Sequence, residues 1–207
     1  MAIAAQLTQA EVVALRLYTG PIYVAWNTAL RMYDSNPELL FDWQTSISIL
    51  YSAVFKLSFL SKPGKVYRGV NESKLKLPEA FYRHDGHNFA GGVELAFMST
   101  SYDKNVAVEY GMRGTTKEST IFEIEFDGGN RGAKVKWVSQ FPYEEELLYP
   151  PCTYLTCKSV TSVENIRHVV VTASVSNARP NLKNIRTVKD NDKDNDCLDK
   201  ALDTLHL

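Results

Sequence analysis

Cysteine is scarce in this chain: Cys152, Cys157 and Cys197 are an odd three among 207 residues. Cys152 and Cys157 lie five apart, so on one strand they would point to opposite faces and could not pair within it. All three read as free thiols, which points to a reducing compartment and a cytoplasmic setting. No run of 18 apolar residues occurs, so no transmembrane helix is expected. Residues 1–20 lack a basic n-region and are interrupted by Thr8, Gln9 and Glu11, which speaks against a secretory signal. Neither sign of charge prevails, since 23 basic and 24 acidic residues leave −1. That balance gives no electrostatic ground for nucleic acid or a membrane surface as partner. A Gly-x-Gly-x-x-Gly after a strand is missing, and Pro63-Gly64-Lys65-Val66 lacks the Walker pattern, which removes dehydrogenase and P-loop readings. His84-Asp85-Gly86-His87 has no third ligand nearby and reads as a solvated loop. Asp192-x-Asp194-x-Asp196 is reminiscent of a calcium loop but places Cys197 where glycine is needed. No metal is expected.

What is present is ordinary globular composition, 44% hydrophobic and 23% charged, on a length that suits one domain with a short tail. The first third reads as helical. Thr8-Gln9-Ala10-Glu11 is a capping box ahead of an apolar run through Leu17, stopped by Thr19-Gly20-Pro21. A second helix is expected over about 22–33, and a third over about 42–60 with Asp42 as N-cap. From Lys65 the period changes, and strands are expected at about 65–70, 95–101, 119–126, 133–138, 145–149, 154–160 and 167–174. A short helix fits around 103–110. Helices followed by strands imply an α+β domain over 1–176, helical to about 62 and β-rich from about 63, with an antiparallel or mixed sheet. Residues 177–207 read as a polar, partly disordered tail.

Three places break the local rules, which is where function tends to show. Tyr143-Glu144-Glu145-Glu146-Leu147-Leu148-Tyr149-Pro150-Pro151 opens a β-like run on three glutamates, which strands disfavour. Strand alternation would put Glu144 and Glu146 on one face and Glu145 on the other, and repulsion within the pair would raise the pKa of one. Phe97-Met98-Ser99-Thr100-Ser101 sets three hydroxyls in an apolar strand, with Ser99 and Ser101 on one face and Thr100 on the other. Val66-Tyr67-Arg68-Gly69-Val70 places a forked cation beside an approachable backbone, which suits phosphate. Each has a plainer reading by itself: a solvated acidic turn, an edge strand, an arginine facing water. Their order and spacing carry more than any one of them.

Taken together, Arg68, Ser99-Thr100-Ser101 and Glu144-x-Glu146 resemble the Arg / Ser-Thr-Ser / Glu-x-Glu signature of the cholera-toxin-like ADP-ribosyltransferases. That group includes vertebrate arginine-specific ecto-enzymes and clostridial binary toxins. Tyr23-Val24-Ala25-Trp26-Asn27-Thr28-Ala29-Leu30-Arg31 is similar to the helical segment that helps hold NAD in the toxin relatives, with Tyr23 and Asn27 on one helical face. Tyr110-Gly111-Met112-Arg113 resembles, more loosely, the aromatic-x-x-Arg of the loop over nicotinamide and phosphate. The resemblance spans roughly 7–174 and implies a split NAD-binding β-sandwich preceded by helices. It sets a secreted effector or toxin beside the cytoplasmic expectation.

The resemblance also implies roles. Glu146 would bond the ribose 2′-hydroxyl, Ser99 would orient Glu146, Arg68 would clamp the phosphates, and the Gly69 backbone would meet the nicotinamide amide. Tyr23, Asn27, Arg31, Thr100, Ser101, Tyr110 and Arg113 would complete the NAD contacts. Glu144 would hold an acceptor arginine, with Phe141 and Tyr143 as acceptor contacts; either aromatic could equally be core. The implied reaction is transfer of ADP-ribose from NAD, with release of nicotinamide, to a protein carrying an exposed arginine. Two rivals stand beside it: an NAD glycohydrolase using water, and a catalytically inactive NAD-binding module.

Overall fold

The computed structural model describes residues 1–71, 77–83, 90–112 and 119–175. The histidine-bearing segment 84–87, Arg113, the tail from 177 and the acidic run 192–196 lie outside the described residues. Helix α1 (Gln9–Leu17) starts on the expected capping box: Thr8 Oγ1 accepts from the Glu11 N–H at 3.3 Å, and Glu11 Oε2 accepts from the Thr8 N–H at 2.7 Å. Helix α1 ends at Leu17, as expected, and the chain then bends at Thr19-Gly20-Pro21. It runs through a π-turn (Tyr18–Ile22), where Gly20 leaves helical dihedrals, into α2 (Tyr23–Arg31). Helix α3 (Glu38–Ser58) begins before the expected Asp42, which is therefore not its N-cap; Pro37, at a φ of −64°, is preset for a helix start. Leu40, Ile47, Leu50, Tyr51, Val54 and Leu57 recur along α3 at helical spacing and are buried. Lys56 of α3 reaches the Glu11 carboxylate at 2.9 Å and ties α3 to α1. No described helix is long and apolar enough to cross a membrane.

The strands follow. After β1 (Gly64–Asn71) and a short helix α4 (Glu79–Tyr82) comes β2 (Gly91–Glu94), which was not expected, and the expected strand at 95–101 is shortened to β3 (Met98–Ser101). The chain breaks between them because the Glu94 carboxylate accepts the Ala96 N–H at 3.0 Å and closes a turn. Helix α5 (Lys104–Met112) leads to β4 (Ser119–Phe126); β5 (Ala133–Lys134) is shorter than the expected 133–138. Then come β6 (Glu146–Tyr149), β7 (Thr153–Val163) and β8 (Ile166–Ser174). The order across the sheet is β2-β7-β8-β4-β1-β3-β6-β5, with β4 and β8 parallel and the other pairs antiparallel. Fold class is thus α+β, as expected.

Strands β1 and β3 join through a single residue pair, Tyr67 with Ser101, so five strands on one side and three on the other meet at a narrow seam. Both groups contribute to one core: Val66, Phe122, Ile124, Leu155 and Val169 from the five, Met98, Leu147 and Tyr149 from the three. The second core lies beneath the helices and takes Phe97, Ala133, Val135 and Leu148. The three-stranded ribbon is therefore apolar on both faces, and consecutive Leu147 and Leu148 go to opposite cores. Ser99 pairs with Leu148 and Ser101 with Glu146, so these four share the helical face while Thr100 and Leu147 share the other. The alternation expected for the three hydroxyls holds.

Candidate active site

Glu146 opens β6 on that helical face and is 5% exposed. A lone carboxylate there would be costly, and its neighbours are arranged around it. The Ser99 hydroxyl hydrogen-bonds the carboxylate from the adjacent strand, and Arg68 and Glu144 act on it electrostatically. Burial pushes its pKa up to about 7; the Ser99 bond draws it down, Glu144 raises it and Arg68 lowers it. Ser99 and Glu146 are diagonal neighbours across the β3–β6 ladder, a distance that a short hydroxyl and a longer carboxylate bridge together.

The pairing of Glu144 with Glu146 arises differently from the expected alternation. Glu144 is not in the strand: it ends a single 3-10 turn (Pro142–Glu144), and Glu145 takes a left-handed conformation, φ 50° and ψ 41°, before β6 begins. The chain turns at Glu145, and the Glu144 carboxylate acts on that of Glu146 electrostatically from a different element. Three adjacent glutamates are tolerated because each has its own partner. Glu145 pairs with Lys136, Glu144 accepts the Tyr110 hydroxyl at 2.5 Å, and Glu146 takes Ser99. The turn itself is held by β3: the Ser101 hydroxyl donates to the Glu144 carbonyl at 2.6 Å, and the Tyr102 N–H to the Glu145 carbonyl at 3.3 Å.

The basic side of the site centres on a residue the sequence reading missed. Glu94 is 4% exposed and receives Arg31 bidentately, Nε and Nη2 each at 3.0 Å, with Arg68 Nη2 at 3.8 Å. Arg68 also donates to the Ser99 carbonyl at 2.7 Å. Burial draws the Arg68 guanidinium below its ordinary value, and Glu94 opposes that. Two guanidiniums around one carboxylate leave a net positive site, which suits a diphosphate. The available signal was a lone carboxylate, Glu94, in the otherwise apolar run 91–98. Glu94→Ala is expected to cost about 2 kcal/mol in urea unfolding, below the full buried-pair penalty because the Arg31 side chain is 31% exposed. An unchanged unfolding midpoint would count against this role for Glu94.

Other expected site residues sit elsewhere or have their groups engaged. Thr100 donates to the Leu147 carbonyl at 2.6 Å on the far face, so it clamps β3 to β6. Ser101 is engaged with the acidic turn, as above, and accepts the Asp103 N–H at 2.9 Å. Asn27 is buried and donates to the Tyr18 hydroxyl at 3.0 Å and the Phe97 carbonyl at 3.3 Å, which pins α2 to the entry of β3; Tyr23 is half exposed. The absent side chain of Gly69 is required by α5, since a Cβ there would lie 1.8 Å from the Ala107 carbonyl oxygen. Tyr110 lies on α5 and reaches the acidic turn. Phe141 and Tyr143 are exposed and meet edge to face at 6.1 Å, so neither is core. Cys152 and Cys157 are free, Cys152 in the turn before β7, at a φ of 60°, rather than on a strand with Cys157. Among the described residues no group of three or more His, Cys, Asp or Glu is placed to hold a metal.

The family model described as ADP-ribosyltransferase exoenzyme matches residues 1–178. No curated protein sequence matches the chain at a significant level. Among solved structures, the ADP-ribosyltransferase Vis of Vibrio splendidus in complex with agmatine superposes with a TM-score of 0.63 at 22% identity, covering 84% of this chain and 79% of its own. Exoenzyme S of Pseudomonas aeruginosa, solved with human 14-3-3 protein beta and carba-NAD, gives 0.58 at 23%, covering 87% and 83%. The ATR domain of Salmonella SpvB gives 0.56 at 20%, covering 80% and 99%. At these identities the likeness speaks to the fold.

Proposed function

The chain belongs to the ADP-ribosyltransferase exoenzyme family, and we propose that within it the chain is an arginine-specific mono-ADP-ribosyltransferase of the Arg / Ser-Thr-Ser / Glu-x-Glu class. NAD-dependent transfer of ADP-ribose is the activity of that family, with NAD as co-substrate. The observation that carries the finer reading is the unequal carboxylate pair. Glu146 is buried and bonded to Ser99, while Glu144 lies on an outward turn beside two exposed aromatic rings. One carboxylate faces inward for NAD; the other meets what comes from outside.

In this reading Arg68 and Arg31, held by Glu94, clamp the diphosphate of NAD, and Glu146 accepts a hydrogen bond from the 2′-hydroxyl of the ribose. The glycosidic C–N bond breaks with its electron pair leaving on nicotinamide, and the Glu146 charge stabilises the positive charge that develops at the anomeric carbon. A guanidinium is protonated at physiological pH and a poor nucleophile. Glu144 holds it by the fork and takes its proton as a guanidinium nitrogen bonds to the anomeric carbon. Agmatine, bound by one structural relative, carries the same guanidinium. The acceptor in this reading is a protein with an exposed arginine, and the setting is that of a toxin or effector.

Glu144→Gln tests the assignment. Transfer to agmatine is expected to fall about a hundredfold while nicotinamide release without an acceptor persists in part. Mass spectrometry of peptides modified in a lysate then reports the acceptor residue type. Full-rate transfer by Glu144→Gln, or modification confined to residues other than arginine, would refute the arginine reading.

A further inference from the structure

The turn that carries Glu144 is anchored at both ends, and the second anchor comes from the N-terminal helix. Residues 138–140 lead into it without a strand partner. The Val138 and Ser139 carbonyls both accept from Arg16 Nη1, at 3.0 and 2.7 Å. Arg16 stands in the last turn of α1. Next to it, Thr19 Oγ1 accepts the Gln140 N–H at 3.1 Å, and Gln140 Nε2 donates to the Arg16 carbonyl at 3.1 Å. The fit is close at Gly20, where a Cβ would lie 2.1 Å from Gln140 Nε2. The contact falls at the π-turn, where the Arg16 carbonyl also accepts the Thr19 hydroxyl at 3.0 Å and Gly20 leaves helical dihedrals. The hold passes on through the Ser139 hydroxyl, which accepts the Phe141 N–H at 3.0 Å. Glu144 N–H in turn donates to the Phe141 carbonyl at 3.1 Å.

We propose that Arg16 is a positioning residue for the acceptor, acting through the turn that presents Phe141, Tyr143 and Glu144. The proposal rests on the reading of that turn as the acceptor side. Arg16 makes two charge-assisted bonds to the turn and none in the described structure to Arg31, Arg68, Ser99, Glu94 or Glu146. Its loss should therefore disturb acceptor use and leave NAD cleavage alone. Misplacement of a binding group by a fraction of an ångström to an ångström is enough for a large effect on a bimolecular transfer.

The test compares wild type, Arg16→Ala, Arg16→Lys and Gly20→Ala in full-length protein. For Arg16→Ala the agmatine KM is expected to rise about tenfold, with acceptor-free nicotinamide release within about twofold of wild type. Lysine, one point donor in place of a fork, should recover part of the loss. Gly20→Ala displaces the Gln140 amide and should raise the agmatine KM about threefold. Amide hydrogen exchange of residues 138–145 should quicken in Arg16→Ala while that of β3 and β6 stays as in wild type. Parallel loss of transfer and NAD cleavage would overturn the proposal, as would an unchanged KM with unchanged exchange. A wild type that cleaves NAD but does not modify agmatine sinks the arginine reading alone. Arg16 is then judged on protein labelling from biotin-NAD: a lowered ratio of labelling to hydrolysis in Arg16→Ala upholds the proposal, and an unchanged ratio overturns it.

Discussion

Glu146→Gln is expected to lower nicotinamide release from NAD by at least about a thousandfold, with or without agmatine. The amide keeps the volume of the side chain and an acceptor for the Ser99 hydroxyl, so what is lost is the charge. Burial has already pushed the carboxyl from 4.5 to about 7, so the ionised form needed for catalysis appears only as the pH rises through that value. Wild-type NAD cleavage should climb between about pH 6 and 8 on this account. The same shift has a consequence for stability with the opposite sign. A group whose pKa is raised on folding stabilises fully below its unfolded value, and that contribution is lost as the pH rises through the folded value. Wild type should therefore lose stability between about pH 5 and 7 in a way that Glu146→Gln does not. Above pH 7 the inactive variant should melt higher by about 2–4 °C for each kcal/mol relieved. Nicotinamide release and thermal melts at both pH extremes check the two halves together. A variant that keeps a tenth of wild-type cleavage, or that melts lower than wild type at pH 8, contradicts the role given to Glu146.

Gly69→Ala is expected to destabilise the protein by about 3 kcal/mol, lowering the melting temperature by roughly 10 °C. A methyl group at this position would sit 1.8 Å from the Ala107 carbonyl oxygen and 2.6 Å from the Gly111 nitrogen. Both are backbone atoms of α5, so no side-chain rotation relieves the clash, and the helix must lift from β1. Lifting α5 would carry Tyr110 away from Glu144 and disturb β1 one residue from Arg68. Transferase activity should therefore fall along with stability. Gly128, where an added Cβ meets nothing within 4 Å, is the control: Gly128→Ala should change the melting temperature by less than about 2 °C. Equal melting temperatures for the two variants would show that α5 is not packed on β1 as described.

Much of the fold was legible because it rests on local periodicity. The capping box at Thr8 and Glu11 is built from residues three apart, and Phe122, Ile124 and Phe126 alternate with Glu123 and Glu125 within one strand. Such signals need no knowledge of the rest of the chain. The boundaries that moved did so for tertiary reasons. Asp42 looks like a cap, but the apolar face of α3 extends one turn further, to Leu40, so the helix starts earlier. The strand expected from 95 starts only at Met98, because the Glu94 carboxylate accepts the Ala96 N–H and closes a turn there.

The candidate site divides the same way. The sequence by itself determined which residue types are present and in what order: Arg68, the three hydroxyls from Ser99, and the glutamates from Glu144 to Glu146. It also determined that Ser99 and Thr100 face opposite ways, since strand alternation follows from covalent geometry. Only the tertiary structure decided that Thr100 and Ser101 hold backbone carbonyls, that Glu94 joins Arg31 to Arg68, and that Arg16 anchors the acceptor turn. Only it decided that Glu144 and Glu146 are related through a left-handed Glu145 and not by alternation along a strand. These are contacts between groups as far as 124 residues apart. Which hydroxyl meets a carboxylate and which carboxylate is buried depends on what the rest of the chain brings against it, and no local pattern encodes that.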